Sequence, residues 1–203
     1  MTKRWRLVLA AALLALPAAP AAASAFDIEE ELSKGTIGAG FSFGGGVQNN
    51  VENHGFISGI SFVDFNPRLT YFFFNPIGSG FYRGAFETGF EGWFQYYLTP
   101  EQATAEGLKI ALKYHLTGLS FGRFVPYVEG NAGAAGTSLQ VKEIDSPFTF
   151  VLEAGAGMEY FITPGLAVNL GYRFQHISNG HTYQRNRGFN SDSGVLGLTW
   201  YFK

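Results

Sequence analysis

With 203 residues, no Cys and a net charge of −2, the chain excludes a disulfide framework and a cysteine-ligated zinc site, and it carries no basic footprint for nucleic acid. Its excess lies in 21 Phe, 10 Tyr and 27 Gly. No segment after residue 25 approaches the roughly 20 apolar residues of a spanning helix, so an exported chain of this kind would enter a bilayer as a closed barrel.

The N-terminus reads as a secretory signal peptide over residues 1–25. Lys3, Arg4 and Arg6 precede an apolar run from Leu7 to Leu16, and Ala23-Ser24-Ala25 offers a small-residue cleavage site. Residues 26–203 then form one domain. Alternation of period two predicts eight strands there, near 36–46, 58–73, 81–97, 107–117, 124–138, 148–161, 166–178 and 191–202. In the third, Tyr82, Phe86, Phe90, Phe94 and Tyr96 oppose Arg83, Glu87, Glu91 and Gln95. In the fourth, Leu108, Ile110, Leu112, Tyr114 and Leu116 oppose Lys109, Ala111, Lys113 and His115. In the seventh, Leu166, Val168, Leu170, Tyr172 and Phe174 oppose Ala167, Asn169, Gly171, Arg173 and Gln175.

The polar face separates a membrane barrel from a soluble sandwich. It mixes both charge signs with Gly and Ala, which suits a small barrel whose interior is filled by side chains. Glu87, Glu91, Glu129, Glu153 and Glu159 stand against Lys109, Lys113, Arg83 and Arg173, predicting an ion-pair network rather than a pore. Tight turns are expected at Asn75–Gly80 and Thr163–Gly165. Longer polar loops are expected around 47–57, 98–106, 139–147 and 179–190. Short turns belong to the periplasmic side and long loops to the outside. The expected fold is therefore an all-β, eight-stranded antiparallel transmembrane β-barrel, and the aromatic ending Trp200-Tyr201-Phe202 fits it.

The outward stripe of the seventh strand ends on His176 and Ser178. An imidazole and a hydroxyl on a lipid face are costly unless they are paired or near the interface. Asn190 and Asp192 share the outward parity of the eighth strand, so pairing across the loop can bring one of them to His176. Nucleophile, base and orienting group together follow the logic of a serine hydrolase. Asn179, Asn186 or backbone N–H groups near Gly180 could donate to an oxyanion. His54 and His181 fall in loops, and His115 faces the lumen.

The run Arg173-Phe-Gln-His176-Ile-Ser178-Asn179-Gly180, followed by Asn186-Arg-Gly188-Phe-Asn190, resembles the C-terminal signature of the lipid A 3-O-deacylase (PagL) family. Upstream, Pro126-Tyr-Val-Glu-Gly-Asn-Ala-Gly133 resembles its fifth strand; elsewhere the likeness is one of architecture. The resemblance implies an outer-membrane serine esterase acting on lipid A (lipopolysaccharide) in the outer leaflet. It makes His176 the base, Ser178 the nucleophile, and Asn179 and Asn186 the family's two asparagines. Where the family has a Glu two residues after the Gly, this chain has Asn190, which resembles the arrangement of the outer-membrane phospholipase family. Asp192 stays open as the alternative. No cofactor, metal or nucleic-acid partner is expected, and a homodimer is left open. A non-catalytic barrel and a phospholipase are the rival readings.

Overall fold

The computed structural model describes residues 26–49, 51, 57–184 and 187–203; the expected signal peptide, His54 and Asn186 lie outside them. Eight strands are present: β1 (Ile37–Asn49), β2 (Ser61–Tyr71), β3 (Ala85–Thr99), β4 (Ala103–His115), β5 (Phe124–Thr137), β6 (Phe148–Thr163), β7 (Leu166–Ser178) and β8 (Phe189–Phe202). Each pairs antiparallel with its sequence neighbours, and β1 with β8 closes the barrel. Closure leaves no sheet edge, so every strand finds its hydrogen bonds within the wall. Among the described residues no helix is long and apolar enough to cross a membrane.

The expected contrast of turn lengths is kept only in part. The β3–β4 connection, expected as a long loop over 98–106, spans only residues 100–102, because both strands continue further. There Ala103 and Ala105 remain buried inside while Thr104 and Glu106 point outward. Above the hydrocarbon the outward face no longer needs to be apolar, so the alternation loses its marker. Conversely, the tight turn expected at Asn75–Gly80 belongs to a longer connection, residues 72–84, with a 3-10 turn at Gly80–Tyr82. Tyr82 and Arg83, expected on the third strand, lie in it.

The two faces of the wall follow the alternation. Phe43, Phe65, Leu69, Phe90, Phe94, Leu108, Ile110, Leu152, Leu170 and Leu196 are exposed on the outside, where lipid would cover them. The inward face holds a buried ion-pair network. Glu91 meets Arg68 at 2.5 Å, Lys109 at 2.7 Å and Arg173 at 3.0 Å. Glu129 meets Arg173 at 2.7 Å and Arg68 at 2.8 Å. Lys113 meets Glu159 at 2.9 Å, and Lys109 meets Glu153 at 3.0 Å. His115 does face the lumen, 2.6 Å from Glu87 and 3.2 Å from Glu159. Two corrections apply to the expected network. Arg83 is not part of it; it pairs with Glu29 at 2.5 Å outside the lumen, and its hydrogen bonds hold the Glu29 carboxyl below its ordinary range. Arg68, on β2, takes a central place instead.

Both mouths are covered. At the mouth beside the C-terminal end of β8 a short helix, α1 (Ile28–Glu31), is capped by the Asp27 side chain and delivers Leu32 into a cluster with Phe72, Phe161 and Tyr201. At the opposite mouth Leu139, Val141 and Ile144 of the β5–β6 loop pack on Phe62, Trp93 and Tyr97.

Candidate active site

The register of β7 with β8 sets Asn190 directly opposite His176 and Asp192 opposite Phe174. The consequence is a 2.7 Å hydrogen bond between His176 Nδ1 and Asn190 Oδ1. An amide oxygen can only accept, so Nδ1 is the donor in this bond. Asp192 is engaged elsewhere. One carboxylate oxygen accepts from the Tyr172 hydroxyl and the other from Asn49 Nδ2 at 2.9 Å. Of the two residues that sequence parity left open, Asn190 meets the imidazole.

Ser178 stands two residues beyond His176 on the same outward face, about 6.6 Å along the strand. Its carbonyl accepts from Thr149 Oγ1 at 3.0 Å, which ties the end of β7 to β6. Asn179 then turns inward and is fully buried. Its Oδ1 accepts the His181 N–H at 3.0 Å, and its carbonyl accepts from Thr182 N at 3.1 Å and Oγ1 at 2.6 Å. Asn179 thus shapes the turn, while Gly180 and not Asn179 lines the outward groove. Asn186 lies outside the described residues.

Two contacts that the sequence reading missed hold the returning chain over this pair. Gly188 has a positive φ of 67°, and a Cβ there would lie 3.1 Å from His176 Cε1 and 3.3 Å from Ser178 Cβ. Only glycine fits without displacing one of them. The Arg187 and Gly188 N–H groups donate to the Glu143 carbonyl at 2.9 and 3.2 Å. The Glu143 carboxylate in turn accepts from Gln48 Nε2 at 2.7 Å, Ser58 N at 2.8 Å and Ser58 Oγ at 2.6 Å. Burial pushes that carboxyl up, but these hydrogen bonds outweigh it and hold it below its ordinary range.

His176 and Ser178 open onto an apolar groove of about 600 Å³ in the outer wall. Its shape follows from register. One row runs Ile110, Ala132, Leu152, His176, and the next runs Leu108, Ala134, Phe150, Ser178. Ala132, Gly133 and Ala134 make β5 a low floor between the bulkier side chains of β4 and β6. The small residues on the lipid face of β5 were the available signal, since such a position ordinarily carries a large apolar side chain.

Fold and site together define a class: a small outer-membrane β-barrel with a His–Asn pair and a serine on its outer wall. The family model of the lipid A 3-O-deacylases (PagL) matches residues 78–199, and the chain belongs to that family. Its place is accordingly the outer membrane. Among solved structures, that of the outer membrane enzyme PagL is similar at a TM-score of 0.53 and 15% identity, covering 80% of this chain and 97% of that one. Neisserial surface protein A gives a TM-score of 0.48 at 16% identity, covering 82% and 96%. The likeness to the PagL structure bears on the fold. No curated protein sequence matches the chain.

Proposed function

We propose that the protein is a serine esterase that removes the 3-O-linked acyl chain of lipid A in the outer leaflet. The observation that carries this reading is the 2.7 Å bond from His176 Nδ1 to Asn190 Oδ1, with Ser178 on the same apolar groove. Ser178 Oγ attacks the ester carbonyl and gives its proton to His176 Nε2. Asn190 keeps the Nδ1 proton in place and so fixes the tautomer. The oxyanion takes hydrogen bonds from the Asn179–Gly180 turn and from Asn186. Collapse breaks the acyl C–O bond, and the departing sugar oxygen takes the proton from His176 to leave as the hydroxyl. Water, activated by the same imidazole, then attacks the acyl-enzyme and releases a 3-hydroxy fatty acid. The apolar groove holds the acyl chain while this happens.

An amide in place of a carboxylate orients the imidazole without adding charge to stabilise imidazolium. A lower rate than that of a carboxylate-bearing relative is expected. The same amide favours one second reading, a phospholipase. Purified protein supplied separately with lipid A and with phosphatidylethanolamine decides between them. The expected outcome is loss of one 3-hydroxyacyl chain from lipid A and intact phospholipid. Release of fatty acid from the phospholipid alone would replace the proposal, and no release from either would leave a non-catalytic barrel.

A further inference from the structure

A second depression sits on the water side of the groove. It measures about 530 Å³ and is lined by Thr137, Gln140, Asp145, Ser146, Tyr183 and Gln184, a size typical of small-molecule sites (about 300–1,000 Å³). Its lining is polar, unlike that of the groove below. Amide, carboxylate and hydroxyl groups offer donors and acceptors, and the half-exposed Tyr183 ring adds an apolar face.

The wall of this pocket is built. Gln140 and Asp145 bridge each other across a small hairpin, and Val141 N–H donates to the Ile144 carbonyl at 2.9 Å. Gln140 N–H is held by Glu101 Oε1 at 2.6 Å, and Thr137 N–H by the Pro147 carbonyl at 2.9 Å. Leu139, Val141 and Ile144 point into the barrel mouth and anchor the hairpin, so Gln140 and Asp145 are left on its outer side.

Position ties the pocket to the serine. Pro147, at its edge, is three residues up from Phe150, which is the register partner of Ser178. That is about 10 Å along β6. In an acyl sugar the ring is bonded directly to the ester oxygen. With the acyl chain in the apolar groove, the sugar must leave on the water side of Ser178, where this pocket opens.

We propose that this pocket binds the amino-sugar head group of lipid A, so that the β5–β6 and β7–β8 loops select a glycolipid over other acyl esters. The assignment rests on the esterase reading above. Pyranose hydroxyls hydrogen-bond to Gln140, Asp145 and Gln184, and the C–H face of a ring packs on Tyr183. The test compares wild type with a Gln140→Ala/Tyr183→Ala double variant in detergent micelles. Two probes are used: lipid A, and a p-nitrophenyl ester of a 3-hydroxy fatty acid, which has no sugar. Folding is checked by the heat-dependent gel shift of an intact barrel. The expected result is a fall of about tenfold or more in the ratio of lipid A to p-nitrophenyl ester turnover, carried by KM. An unchanged ratio, whether both activities persist or both fall together, overturns the pocket assignment and leaves the esterase reading standing. Wild type that cleaves the p-nitrophenyl ester but not lipid A overturns both.

Discussion

Arg173 and His176 stand three residues apart on β7 and face opposite ways. Arg173 points into a lumen where Glu91 and Glu129 take up its guanidinium at 2.7–3.0 Å. His176 points outward, with Nδ1 committed to Asn190 and the ring on an open apolar groove. The lumen holds far more ionisable groups than the outer wall, yet its charges are matched against one another. A pocket lined by Asn66, Arg68, Glu91, Lys113, Glu129 and Arg173 leaves only about 30 Å³ between them. A dense set of charges is packing here, and the sparse pair beside an accessible groove is where the proposed chemistry lies. Access to an apolar groove sets this pair apart from the network.

Three substitutions sharpen this contrast. The largest expected effect is on stability. Glu91→Gln leaves Arg68, Lys109 and Arg173 around a neutral amide, and removing one partner from a buried network costs about 3–5 kcal/mol. Urea unfolding in micelles should register that loss, while turnover per folded molecule stays within about threefold of wild type under mild conditions, since the group is remote from the ester. A variant that keeps its unfolding midpoint but loses turnover would move the function into the lumen. Next comes Asn190→Ala, which removes the partner of His176 Nδ1. It should lower kcat by about 100-fold with the unfolding midpoint little changed, because it frees the imidazole tautomer. The smallest effect is expected from Asp192→Asn, which keeps hydrogen-bonding capacity toward Tyr172 and Asn49. Its kcat should stay within about threefold of wild type, and a larger loss than that of Asn190→Ala would exchange the two roles.

The barrel was legible because lipid and a filled lumen impose opposite chemistries on alternate residues. Where that contrast fades, so did the reading. Thr104 and Glu106 continue β4 above the hydrocarbon and looked like loop. The β5–β6 connection read as a polar loop, although Leu139, Val141 and Ile144 in it close the barrel mouth. At the site, parity placed His176, Ser178, Asn190 and Asp192 on one face, and parity was right. It could not rank Asn190 against Asp192, because the choice depends on register and on Tyr172 and Asn49, which claim the carboxylate. Parity did carry information about Asn179: as the odd residue beside Ser178 it turns inward, where its Oδ1 braces the turn. Gly188 and Glu143 act through contacts between two loops, which a linear pattern does not encode.

The central claim is that Ser178 on the outer wall attacks an acyl ester of lipid A. Mass spectrometry of lipid A tests it most directly, in cells expressing either wild type or Ser178→Ala at equal levels of folded barrel. The account predicts that wild type removes one 3-hydroxyacyl chain from lipid A and that Ser178→Ala leaves the mass unchanged, a loss of about 1,000-fold or more in activity. Identical lipid A profiles from the two proteins, whether both cut or both intact, would contradict it.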